Sequence, residues 1–220
     1  MLHYLQNLFQ ALDFSSLADA ALRAAAVFLC LTVHETCHGL AALALGDPTA
    51  KSMHRLSLNP LRHIDWLGLA LMFAAGFGWA KPVPVNPNYF RKPKQGMAIT
   101  ALAGPVSNFL LAILFLGIGK AIYLYAPYSD GMNVLFSWCL YTVAPMSVGM
   151  GLFNLIPLPP LDGSKVLAMF LPNSVYEKLM RYEYYGLMLL LILNWLHFGG
   201  NIFQKTIYGV YEVLVHIFFA

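Results

Sequence analysis

His34 and His38 stand four residues apart, with Glu35 between them, in the run His34-Glu35-Thr36-Cys37-His38. On a helix, positions i and i+4 share a face one turn apart, so both imidazoles can reach a single ion. Glu35 lies about 100° round from His34 and about 60° from His38 by the 3.6-residue period. It flanks such an ion instead of ligating it, which is where a base for a metal-activated water belongs. The pattern points to metal-assisted hydrolysis. A zinc site with three protein ligands keeps its fourth position for water, so a third ligand has to come from elsewhere in the chain.

The candidates for that ligand are Asp162, His54, His63, Asp65 and His197. Asp162 stands out by its surroundings, Asn154-Leu-Ile-Pro157-Leu-Pro-Pro160-Leu161-Asp162-Gly163, directly after a long apolar segment. The prolines break a helix and turn the chain back. Gly163 permits an unusual backbone beside the carboxylate. Such a non-helical segment at membrane depth is tolerated where it lines a cavity.

The elements that must position these residues are set by composition. Of 220 residues, 59% are hydrophobic and 10% charged, with mean hydropathy +0.64. A soluble domain carries about 25% charge, so this chain cannot clothe a soluble surface and reads as an integral membrane protein in a lipid bilayer. A cytosolic enzyme, a nucleic-acid binder and a disordered tail are excluded. The three cysteines, Cys30, Cys37 and Cys139, are odd in number and sit in apolar runs, against a disulfide framework. Residues 1–16 are mildly amphipathic and lack the features of a cleaved signal, so the first apolar segment is expected to be retained. His3, His197 and His216 lie near segment ends and suit interfacial anchoring.

Three long apolar spans are expected, over Leu17–Leu45, Gly96–Tyr125 and Met132–Ile156, followed by an apolar pair over 184–219. The expected architecture is an all-α polytopic membrane protein forming one domain over 1–220. Beside the three spans stand two C-terminal helices and a re-entrant loop or short β-sheet element in the 47–95 region. Residues 66–80 are apolar but short. Seven of the 13 Lys+Arg lie between 51 and 94, and three more lie between 157 and 183. If 66–80 crosses the membrane, the first seven split between its two faces. If it dips in and returns, all ten share one face. The positive-inside rule favours re-entry and places 47–95 and 157–183 in the cytoplasm.

The run HETCH, then GLAALALGDPTAK, RLSLNPLRHID, GFGWAKPVPVNP, ALAGPVSNF and NLIPLPPLDG, resembles the site-2 protease family of intramembrane zinc metalloproteases, and most of all its small members without PDZ or CBS modules. The resemblance covers roughly residues 30–170. It implies His34, His38 and Asp162 as ligands of one zinc per chain and Glu35 as general base. It also implies a three-helix catalytic core over about 17–170, a membrane-associated sheet that receives substrate as an added strand, and Asn154 and Pro160 near the substrate; 49–58 and 80–90 are read as the edge of that sheet. Small members often carry glycine where His54 stands, so His54 is either an accessory ligand or a solvated loop residue. Segments 184–219 match no family motif and could serve packing or a homodimer contact.

Asn108 and Asn154 are amides expected in lipid, where a buried amide needs partners. Each could donate to a developing oxyanion or hold an interhelical hydrogen bond. His63 and Asp65 could bind a second ion or anchor their loop. The expected partner is a transmembrane protein substrate cut in or near its membrane segment, as in regulated intramembrane proteolysis. The rival reading is a zinc or proton transporter that uses the same cluster as a relay.

Overall fold

The computed structural model describes residues 17–68, 80–172, 174–175, 183–196 and 200–219. Helix α1 spans Leu17–Ala44 and α2 is the single turn Thr49–Ser52. Helix α3 runs over Pro93–Tyr125, α4 over Asp130–Asn154 and α5 over Asp162–Ala168. The C-terminal pair is α6, Glu183–Trp195, and α7, Gly200–Phe219. Among the described residues, three helices are long and apolar enough to cross a membrane: α1, α3 and α4. The molecule is the all-α membrane protein expected, with the three spans displaced from their expected ends by a few residues at most.

Each boundary has a local cause. Helix α1 closes when the Asp47 amide donates to the Ala42 carbonyl and the Gly46 amide to the Leu43 carbonyl. Gly46 takes φ +102, the left-handed turn this ending needs. Helix α3 starts on Pro93, where a missing N–H costs nothing. Helix α4 is capped by the Ser129 hydroxyl, which accepts from the Met132 amide.

Helix α3 is the central element and packs on α1, α4 and α5. Around it lies a core of Ala112, Leu116, Cys139, Leu140, Ala144, Val148 and Tyr211. Midway along α4, residues Trp138–Val143 form a π-helical stretch. There the Ala144 amide bonds the Cys139 carbonyl and Pro145 has no N–H to offer Leu140, and the fully buried Tyr211 of α7 donates its hydroxyl to the Leu140 carbonyl at 2.6 Å. One of the two C-terminal helices thus docks on the core. All three cysteines are free.

In the 47–95 region, the β content among the described residues is one antiparallel bridge, Ile64 to Ala80. The Lys81 amide also donates to the His63 carbonyl at 2.9 Å. Residues 49–52, expected in an edge strand, are instead the helical turn α2. The reason is Asp47, whose carboxylate accepts from both the amide and the hydroxyl of Thr49 and so starts a turn. Residues 81–86 are irregular, since Pro82 and Pro84 remove two ladder donors. The segment expected to be re-entrant, 66–80, lies outside the described residues over 69–79, as do the amphipathic stretch 1–16 and His197.

Candidate metal centre and its surroundings

The two imidazoles lie where helical spacing puts them, on one face of α1. The His34 Nε2 and His38 Nε2 atoms are 3.0 Å apart. Asp162 Oδ2 is 3.1 Å from each of them. All three residues are buried, at 5%, 9% and 7% exposure. Among the described residues they are the only group of three His, Cys, Asp or Glu side chains with converging ligand atoms. Tetrahedral zinc with bonds of about 2.0 Å would set its ligand atoms about 3.3 Å apart, close to the triangle seen.

The donor chemistry fits a cation. His38 Nδ1 lies 2.7 Å from the Thr100 carbonyl. A carbonyl only accepts, so Nδ1 carries the proton and a neutral His38 offers its lone pair at Nε2. Asp162 Oδ2 has no hydrogen-bond donor among the described residues. Two imidazole nitrogens and a carboxylate oxygen thus face one point, and a divalent ion there satisfies all three. A carboxyl ordinarily ionises well below neutral pH, so Asp162 can bind such an ion as the anion a ligand must be.

Asp162 reaches this point because the chain turns sharply after α4. The Leu161 amide donates to the Leu158 carbonyl, and Ser164 bonds back to the Leu161 carbonyl through both its amide and its hydroxyl. Pro159–Pro160 is a cis peptide. Gly163 does not take the unusual backbone expected of it, for it has no positive φ. Its role is space: a Cβ there would collide with the carbonyls of Leu155 and Ile156. Helix α6 backs the same turn, where Gly186 abuts the Pro159 carbonyl.

Gly104 on α3 was not singled out by the sequence reasoning. A Cβ at this position would sit 2.5 Å from Cε1 of both His34 and His38. The glycine lets α3 close onto the imidazoles while the Thr100 carbonyl, one turn earlier, orients His38. The visible signal was the Gly-Pro pair inside a long apolar span. Thr100 acts through its backbone, so its side-chain type carried no signal.

Glu35 is buried beside the ligands, and its Oε2 accepts the Val83 amide at 2.8 Å. Asp47, fully buried, holds the same loop by accepting the Asn86 amide at 2.7 Å. Two carboxylates on or just after α1 therefore fasten the segment 83–86 over the site. Burial raises the Asp47 pKa, but the Thr49 hydroxyl and the amides of Asn86 and Thr49 lower it more.

The remaining candidates separate. His54 is exposed at φ +53, the left-handed region that favours glycine, and stands outside the cluster. His63 is fully buried and donates from Nε2 to the Ser57 carbonyl at 2.7 Å. Asp65 accepts the amides of Leu67 and Gly68. Both anchor their loop, and the structure does not join them into a second ion site. Asn154 donates to the Met150 carbonyl of its own helix at 3.0 Å. Asn108 is fully buried, and neither polar atom of its amide has a partner among the described residues.

No protein-family model and no solved structure matches the chain. Curated relatives do. It is 36% identical over 194 residues to "Putative zinc metalloprotease YwhC" of Bacillus subtilis, covering 86% of this chain and 87% of that one. It is 27% identical over 168 residues to "Putative zinc metalloprotease Rip2" of Mycolicibacterium smegmatis, covering 74% and 62%. A shorter stretch of 82 residues is 32% identical to "Zinc metalloprotease MJ0392" of Methanocaldococcus jannaschii, covering 37% and 22%. The chain belongs to the family of small, site-2-protease-like zinc metalloproteases that includes YwhC.

Proposed function

We propose that this chain is a site-2-type intramembrane zinc metalloprotease that hydrolyses peptide bonds in or near transmembrane segments of membrane proteins, in regulated intramembrane proteolysis. The observation that carries the reading is the triangle of His34 Nε2, His38 Nε2 and Asp162 Oδ2 on membrane-spanning α1 and the turn after α4. These three atoms would hold one zinc ion per chain, which supplies Lewis acidity and an acidified water.

Glu35 is the general base. The Val83 amide engages its Oε2, which leaves Oε1 to take the proton from the attacking water and pass it to the leaving amine. A substrate helix has its carbonyls tied up internally and must open locally before it can be cut. The segment 80–86, fastened by Glu35 and Asp47, would line the path of the opened chain. Asn154 and Pro160 bracket the turn that delivers Asp162, and we assign them to the substrate side. Asn108 lies one helical turn from Gly104 with an unpaired amide, and we assign it to the same side.

The Ile64–Ala80 bridge brings the two ends of 65–79 together. This supports re-entry, with both basic regions on one face, and we place that face in the cytoplasm. The test is reconstitution of the full chain in liposomes with a transmembrane reporter. The reading expects cleavage that a zinc chelator stops. Zinc or proton flux without cleavage would favour the transporter.

A further inference from the structure

A basic groove lies apart from the metal centre, at the base of the segment closed by the Ile64–Ala80 bridge. It is a shallow, open groove of about 500 Å³, lined by Arg55, Arg62 and Lys81 together with Met53, Leu61 and Trp66. We infer that this groove binds the headgroup phosphate of an anionic membrane phospholipid.

Charge is the first argument. None of the three cations has a carboxylate within salt-bridge distance among the described residues. Asp65 also lines the groove, but its Oδ1 accepts the Leu67 and Gly68 amides. One carboxylate against three cations leaves a net positive cleft.

The guanidinium groups are also held in place. Arg55 Nη2 donates to the Lys81 carbonyl at 2.9 Å and the Pro82 carbonyl at 3.3 Å, and Arg62 Nη1 donates to the His54 carbonyl. A guanidinium has five N–H donors, so both arginines keep donors for an oxyanion. A phosphate is the oxyanion that such a fork suits.

The rim decides between a free anion and a lipid. Met53, Leu61 and Trp66, which line the groove, are exposed at 59%, 69% and 75%. In a water-facing loop this would be a costly apolar surface. In a chain with three membrane-spanning helices, with the groove beginning nine residues after α1 ends, it suits the bilayer interface, where tryptophan is enriched. A phospholipid meets both halves of the site: its phosphate meets the cations and its glycerol and upper acyl chains meet the rim. A net-negative headgroup is preferred because a zwitterionic one brings its own cation into a positive cleft.

The test needs neither zinc nor proteolysis, so its failure would leave the protease reading untouched. The full chain is placed in nanodiscs of equal parts phosphatidylglycerol and phosphatidylcholine, and retained lipids are counted by native mass spectrometry. The wild type is expected to retain phosphatidylglycerol preferentially. The double variant Arg62→Gln, Lys81→Gln should lose roughly thirtyfold of that preference, at the usual contribution of a basic residue near an anionic surface. The single Arg62→Gln, at an exposed position, should lose roughly fivefold and keeps the test open if the double variant fails to fold. Arg91→Gln, Lys92→Gln removes the same charge outside the groove and should keep the preference. Equal retention of the two lipids overturns the inference. So does an equal loss in both double variants, or binding of inorganic phosphate with no lipid preference.

Discussion

The backbone amide of Val83 donates to Oε2 of Glu35 across 2.8 Å. Glu35 belongs to α1 and Val83 to the proline-rich loop 81–87, so one hydrogen bond joins the proposed base to the loop proposed to line the substrate path. Glu35→Gln keeps an oxygen for that bond and no metal ligand is touched. Zinc content is expected to stay at the wild-type level while the cleavage rate falls roughly 10²–10⁴-fold, the usual share of a general base. Initial rates on a membrane-embedded reporter, beside metal analysis, check this.

Gly104→Ala places a methyl group 2.5 Å from both imidazoles. Helix α3 or the rings must move. The expected cost is about 1–3 kcal/mol of stability, as for other overpacked cores, with zinc retention falling alongside. Thermal unfolding in detergent and metal content after dialysis report the two effects.

Asp47 acts on the site through the loop it holds. Asp47→Ala is expected to cost about 1–3 kcal/mol, since it leaves the Asn86 and Thr49 amides without their acceptor. Cleavage should fall while zinc content stays constant. Acid should mimic the change. The folded-state pKa of Asp47 is below its ordinary value of 3.8, so its contribution is fully present above about pH 4 and is lost as pH falls through the folded value. Unfolding midpoints at neutral and acid pH should drop further in wild type than in Asp47→Asn.

Tyr211→Phe removes the donor that meets the Leu140 carbonyl in the π-helical stretch. A buried carbonyl left unpaired costs about 1–3 kcal/mol. The unfolding midpoint in detergent should fall, and zinc content should not. Loss of zinc in this variant would mean that α7 supports the metal centre as well as the core.

The convergence of His34, His38 and Asp162 was legible because its parts obey local rules. His34 and His38 needed only the helical period, and Asp162 was marked by the prolines before it. The spans were legible from apolar runs of sufficient length. What escaped were backbone partners. The Thr100 carbonyl and the Val83 amide are functional groups that every residue possesses, so no residue type announces them. Gly163 was noticed but misread, because a glycine for close approach and a glycine for a left-handed turn look alike in sequence. His54 shows the converse: a glycine-favouring φ filled by a histidine that the site does not use. Asp47 reaches 39 residues along the chain with its second oxygen, to a contact no local pattern encodes.

The most direct test is zinc content of the purified full chain beside Asp162→Ala. If two imidazoles and this carboxylate hold one ion, the wild type carries close to one zinc per chain. Asp162→Ala then loses most of its zinc on dialysis against a mild chelator. An Asp162→Ala protein that keeps its zinc as firmly as the wild type would contradict the account.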